Sequence, residues 1–225
     1  MNYNIFPIEK NISVEYSFKI VILGESGVGK TSILKRELNN EFSENIKNTT
    51  TFEHYYKNYS VNDSKICLHI WDTCGKDNYR ILVGNFLRAS LCAFLVFSID
   101  NIKSFEKLSD WILEIKENCS DNIILFLIGN KKDKLSERKV SFLQINNFIK
   151  EENITKYFEI SALNNEGIEE VFKQTLIYLY IQNILSLNKN NYNNNLIDKN
   201  SNSNRGFYLS INNCNSCKQC LCCKN

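Results

Sequence analysis

Long apolar runs are missing from this 225-residue chain. The longest, residues 91–99, is under half of the roughly 20 residues that a membrane-spanning helix requires. Residues 1–16 lack a basic start followed by an apolar block, so no secretory signal is expected. Large charge imbalance is also absent: the formal net charge is +2, which gives no reason to expect nucleic acid as a partner. There are two histidines, and neither is expected to bind metal or act as a catalytic base: His69 reads as a strand residue and His54 as a surface residue. Internal repeats are lacking. With 43% hydrophobic and 23% charged residues, the composition is that of a globular protein with one domain and an appendage, not a disordered chain.

Charge and cysteine are unevenly spread. Residues 188–225 carry five Lys or Arg against one acid, a balance of +4, which leaves −2 for residues 1–187. Near anionic lipid each such cation contributes about 1 kcal/mol, enough to assist membrane contact but not to secure it. Cys67, Cys74, Cys92 and Cys119 are scattered without pairing spacing, whereas Cys214, Cys217, Cys220, Cys222 and Cys223 crowd the last positions. Without a secretory signal this pattern predicts a reduced, cytosolic chain rather than a disulfide framework.

Hydrophobic periodicity divides residues 16–187 into alternating elements. Residues 16–23 form a Val/Ile-rich strand ending at Gly24, and a helix follows over 30–40. Residues 55–61 and 65–72 read as two strands joined at Asn62-Asp63-Ser64. A buried run over 91–99 precedes a helix on which Phe105, Leu108, Trp111, Ile112 and Ile115 share a face. A strand over 123–129, a helix over 141–152, a short strand over 157–160 and a long helix faced by Ile168, Phe172, Leu176 and Leu179 complete the set. The pattern predicts an α/β domain with a mainly parallel sheet, helices on both faces and an antiparallel hairpin at one edge. Ligands on such sheets bind beyond the carboxyl ends of the strands. Residues 1–15 form an N-terminal extension, 188–213 an Asn-rich flexible tether, and 214–225 a Cys-rich tail.

Three motifs carry chemistry. Gly24-Glu25-Ser26-Gly27-Val28-Gly29-Lys30-Thr31 fits G-x-x-x-x-G-K-[ST] between a strand and a helix. Its backbone N–H groups can wrap phosphates at the positive end of the helix dipole. Lys30 would neutralise β- and γ-phosphate oxygens, and the Thr31 hydroxyl would ligate Mg²⁺. From glycine usage, a chance match is on the order of one in a hundred. Asp72-Thr73-Cys74-Gly75 follows an apolar strand. Its carboxylate could hold Mg²⁺ through water and the Gly75 N–H could meet a γ-phosphate, although the motif alone describes an ordinary turn. Asn130-Lys131-Lys132-Asp133 identifies the base: Asp133 can accept from N1–H and the exocyclic amine of guanine, an arrangement adenine lacks. The Lys131 stem can cover one purine face, and Asn130 can brace the loops.

In this order, and with Ser161-Ala162-Leu163 behind them, these motifs resemble the Ras superfamily of small GTPases over residues 16–185. Within it the chain looks most like a Rab protein, through Tyr16-Ser17-Phe18-Lys19-Ile20-Val21, Trp71-Asp72-Thr73, Tyr79-Arg80 and Cys222-Cys223. The resemblance implies a P-loop NTPase fold with a six-stranded, mostly parallel sheet and one antiparallel edge strand. It implies GTP and GDP as ligands, with Ser32 also at the nucleotide and Phe42 stacked on guanine. Counting back from Trp71 puts the switch I threonine at Thr49, so that Thr31, Thr49 and Asp72 serve the metal. The Ala162 N–H would meet guanine O6. His54, Trp71 and Phe86 would form an effector surface, and His69 would be a strand residue facing a neighbour. Implied partners are an exchange factor, a GTPase-activating protein, effectors, a prenylation escort and a GDP-dissociation inhibitor.

Two departures bear on activity. Cys74 and Lys76 stand where the family has Ala and the Gln that orients the attacking water. Lys has no acceptor, so slow intrinsic hydrolysis is expected, with Gly75 and Lys76 at the catalytic position. An activating protein that brings its own Arg and Gln would still stimulate turnover. The other reading is a long-lived GTP-binding module that recruits effectors with negligible hydrolysis. Leu163 also replaces the usual Lys.

The tail admits two readings. Closely spaced C-x-x-C pairs suggest zinc and a metal-binding adaptor, but no longer loop separates them and no apolar shell surrounds them. Cys222-Cys223 instead resembles the doubly geranylgeranylated end of Rab proteins, and two chains make a stable anchor where one does not. The expected location is therefore the cytoplasmic face of an intracellular membrane, with a cytosolic pool, in vesicle-mediated transport.

Overall fold

The computed structural model describes residues 3–9, 12–44, 49, 51–75 and 80–197, with backbone alone for 80–82 and 187–197. Lys76, Tyr79 and the five tail cysteines lie outside the described residues. In chain order the strands are β1 (Ile5–Ile8), β2 (Tyr16–Leu23), β3 (Glu53–Val61), β4 (Ser64–Asp72), β5 (Cys92–Ser98), β6 (Ile124–Asn130) and β7 (Lys156–Glu159). The helices are α1 (Lys30–Asn39), α2 (Arg80–Leu87), α3 (Ile102–Glu106), α4 (Leu108–Asn118), α5 (Phe142–Glu151) and α6 (Ile168–Ile197).

All seven strands join one sheet in the order β1-β3-β4-β2-β5-β6-β7. From β4 to β7 the neighbours are parallel, and β3 runs antiparallel to β4 and to β1. The α/β architecture is the expected one, but the sheet has seven strands rather than six. The additional strand comes from the N-terminal extension, where Ile5 pairs with Val61 and Ile8 with Asn58. Pro7 interrupts the strand pattern in the sequence and is compatible only with an outer strand, the place β1 occupies. The β3–β4 turn is tighter than a three-residue connection: Val61 pairs with Ser64, and Asn62 and Asp63 both take positive φ, at 47° and 70°. Asn and Asp tolerate that conformation, which matches the twist of a two-residue hairpin.

Alternation along β2 fills both faces. Phe18, Ile20 and Ile22 pack with Ile33 and Leu34 of α1 and with Ile168, Phe172 and Leu176 of α6. Val21 and Leu23 pack on the other side with Val83, Leu87, Trp111, Ile112, Ile145 and Phe148 from α2, α4 and α5. Burial of each such side chain contributes about 1.5–3 kcal/mol, so the covered sheet provides a rigid platform for the loops that leave it.

Three helical regions depart from the sequence reading by more than a residue or two. The apolar face from Phe105 to Ile115 is divided between α3 and α4, which meet at Lys107. Helix α2 is an addition. Helix α6 continues to Ile197, past the expected boundary at 187. Among the described residues no helix is long and apolar enough to cross a membrane.

Candidate functional site

The chain reverses its direction of sheet growth at β2, which has β4 on one side and β5 on the other. A crevice opens beyond the carboxyl ends of strands at such a point. The loop leaving β2 fills it. Gly24, Gly27 and Gly29 take φ of 141°, 82° and 98°. A Cβ on Gly24 would lie 2.1 Å from the Val96 carbonyl oxygen, and one on Gly29 would lie 2.3 Å from Asn130 Nδ2, so both positions need glycine for space as well as for φ. Gly29 caps α1, whose amino end therefore faces the cleft without a side-chain cap.

Lys30 is buried, and its Nζ donates to the carbonyl oxygens of Gly24 at 2.6 Å and Glu25 at 3.0 Å. Burial pulls its pKa down to about 8, against the opposing fields of Asp72, Cys74 and Glu25. An anionic ligand beside Nζ would supply the charge this buried ammonium needs.

Thr31 Oγ1 donates to Asp72 Oδ2 at 2.5 Å and lies 2.8 Å from Thr49 Oγ1. Three residues far apart in sequence, Thr31, Thr49 and Asp72, thus meet at one corner. Asp72 is fully buried, burial pushes its carboxyl above the ordinary value, and its Oδ1 has no hydrogen-bond partner. An orphaned buried carboxylate oxygen beside two hydroxyls fits a hard divalent cation that retains water and phosphate ligands. Gly75 closes the same corner. Its carbonyl accepts from Ser26 N at 3.0 Å, and a Cβ on it would lie 2.5 Å from Lys30 Nζ and from Ser26 N.

The far end of the cleft is built from β6 and the segment after β7. Asn130 is buried; its Nδ2 donates to the Val28 carbonyl at 2.8 Å, and its Oδ1 accepts from Ala162 N at 3.1 Å. One side chain therefore ties the glycine loop to the 161–163 loop. Asp133 is exposed, and its Oδ1 accepts from Ser161 Oγ, whose oxygen in turn accepts from Asn164 N. Lys131 takes positive φ at 65°, which turns the chain from β6 into the next short helical segment. The Ala162 N–H is engaged by Asn130, so the donation to guanine O6 expected from the resemblance would have to share that proton.

A single cavity of about 480 Å³ spans these parts, within the range of small-molecule sites. Its lining includes Ser26, Gly27, Gly29, Lys30, Thr31, Ser32, Phe42, Thr49, Gly75, Asn130, Lys131, Asp133, Ala162 and Leu163. Gly24, Glu25, Val28, Asp72 and Ser161, also expected at the nucleotide, are not part of that lining. The structure adds Ser43, Glu44 and Lys134 to the lining. Outside the lining it adds Arg36, whose guanidinium donates to the carbonyl oxygens of Ala162 and Leu163. No sequence motif marks Arg36, because its partners are backbone atoms far along the chain.

Away from the cleft, His54, Trp71 and Phe86 do come together: the His54 and Trp71 rings are 4.7 Å apart and those of Trp71 and Phe86 5.1 Å apart. Phe52 stacks on Phe86 at 4.0 Å. His69 faces His54, with Nδ1 3.0 Å from His54 Nε2, and Lys19 Nζ lies over Trp71. Burial, together with Lys19 for His54 and with His54 for His69, lowers both imidazole pKa values. Among the described residues no group of three His, Cys, Asp or Glu could hold a metal ion.

Comparison with known proteins agrees with this geometry. The Ras family model matches residues 19–180. GTP-binding protein ypt3 of Schizosaccharomyces pombe is 35% identical over 166 residues, covering 74% of this chain and 77% of its own. Ras-related protein YPTC6 of Chlamydomonas reinhardtii is 34% identical over 166 residues, 74% of this chain and 76% of its own. Ras-related protein Rab-11A of Dictyostelium discoideum is also 34% identical, over 74% and 77% of the two chains. Likeness of this extent, centred on the domain that carries the cleft, places the chain in the Ras family of small GTPases, in its Rab branch.

Proposed function

We propose that the chain is a GTP-regulated switch of vesicle-mediated transport, held on the cytoplasmic face of a membrane by lipids on Cys222 and Cys223. The observation that carries the nucleotide reading is the continuity of the cavity, which runs from Lys30 and Thr31 at one end to Asn130, Asp133 and Ala162 at the other. Phosphates belong at the glycine loop, where backbone N–H groups and Lys30 converge. Guanine belongs between Phe42 and Lys131, with Asp133 accepting from its N1–H and amine. Thr31, Thr49 and Asp72 would hold Mg²⁺, which neutralises phosphate charge when bound. Thr49 joins that corner from outside the helix and sheet framework, so loss of the terminal phosphate would free its segment and change the surface offered to partners.

The family is one of GTP hydrolases. For this chain we propose slow unassisted hydrolysis, since an ammonium at position 76 has no acceptor for a proton of the attacking water. His54, Trp71 and Phe86 form the surface for effectors, while exchange factors and activating proteins act on the loops. Calorimetry of the full chain with Mg·GDP, Mg·GTP and Mg·ADP tests the reading. Binding of both guanine nucleotides with rejection of ADP is expected; ADP binding as tight as GDP would overturn it.

A further inference from the structure

We infer that Arg36 is a positioning residue for the purine, strapping the end of α1 and Phe42 to the loop that faces the base; this rests on the guanine-nucleotide reading above. Arg36 sits in the last turn of α1, where the bland role for a cation is to bond the helix's own final carbonyls. Two of its bonds stay at the helix end, from Nη1 to the Asn40 carbonyl at 2.9 Å and to Asn40 Oδ1 at 3.5 Å. The other two leave the helix. Nε donates to the Ala162 carbonyl and Nη2 to the Leu163 carbonyl, each at 2.8 Å.

Three carbonyls are thus gathered by one planar group, and its fixed fork cannot be reproduced by the point charge of Lys. The guanidinium carbon also lies 5.5 Å from the centre of the Phe42 ring. A cation at that distance interacts with the aromatic face. A second link crosses the same junction, from Asn165 Nδ2 to Asn40 Oδ1 at 3.0 Å. The residue that fixes the Ala162 peptide therefore also fixes the ring assigned to one face of guanine. Among the described residues, the side-chain bonds of Arg36 go to Asn40, Ala162 and Leu163 and not to the metal corner or the glycine loop, so its contribution falls on the base end of the ligand.

Release of a fluorescent GDP analogue from the full chain distinguishes this role from general support of the fold. Arg36→Gln is expected to release it about 10- to 100-fold faster, the scale of losing charge-assisted bonds in a half-buried place. Arg36→Lys should fall between Gln and wild type. The factor by which EDTA accelerates release should be the same in all three proteins, because the metal corner is intact, and the preference for GDP over ADP should narrow. Release from Arg36→Gln within twofold of wild type, or an EDTA factor that collapses along with base affinity, overturns the proposal. Where Arg36→Gln does not fold, the Lys variant decides by the same two readouts. Failure of the wild-type protein to bind GDP would instead overturn the reading on which the proposal rests.

Discussion

Replacing Asn130 by Ala would remove the single side chain that joins both ends of the cleft. Two buried backbone groups would lose their partners: the Val28 carbonyl and the Ala162 N–H, in residues 1% and 3% exposed. A buried polar group left unpaired costs about 1–3 kcal/mol. Water admitted to the space of the lost amide would recover part of that, so a total of about 2–4 kcal/mol is expected. On the proposed reading the nucleotide would bind both loops at once, so the loss should appear in affinity, as about a 30- to 1,000-fold rise in the GDP dissociation constant. Competition titration against a fluorescent analogue measures it, and denaturant unfolding of the Mg·GDP form measures the accompanying loss of stability. An affinity within threefold of wild type would refute the reasoning, since it would mean that the two loops hold their places without the bridge.

If unassisted hydrolysis is slow for the reason proposed, Lys76→Gln supplies the acceptor that Lys lacks and should raise it about tenfold or more; single-turnover phosphate release that stays unchanged would sink the proposal. Lys30 makes the nucleotide-free protein sensitive to pH. Its folded pKa, about 8, lies below the ordinary 10.5, so the cost of burying its charge is fully present below pH 8 and fades as pH climbs toward 10.5. Between pH 7.5 and 9.5 the nucleotide-free form should gain about 2 kcal/mol relative to the Mg·GDP form, whose phosphates keep the ammonium charged; parallel denaturant curves would contradict it. A Cys222→Ser/Cys223→Ser variant should leave the membrane fraction for the cytosol, and unchanged sedimentation with membranes would rule out these cysteines as the anchor.

Contiguous chemistry was the part legible in the sequence. The glycine loop and the Asn130–Asp133 segment each sit in a few consecutive residues after a strand, so spacing and residue type suffice to find them. Thr49 was accessible by counting from Trp71, and the structure places it against Thr31. What escaped notice depends on through-space register. Strand β1 hid behind Pro7, and Arg36 serves carbonyls that carry no sequence signature. The closeness of His54 to His69 follows from a pairing register that sets Tyr56 opposite His69 and His54 opposite Trp71.

Strand β1 and helix α6 meet at the hairpin end of the sheet. Asn4 accepts from Asn62 N, Tyr3 lies against Tyr180, and the Tyr180 hydroxyl is 3.4 Å from Ser64 Oγ. Strand β1 and the described part of α6 thus lead away from the pole opposite the cleft, and α6 runs roughly 25 Å farther before Ile197. On the proposal that lipids sit on Cys222 and Cys223, the attachment would follow the end of α6 far from the cleft, and regulators arriving from solution would meet the loops and the aromatic patch without competing with it for the same pole.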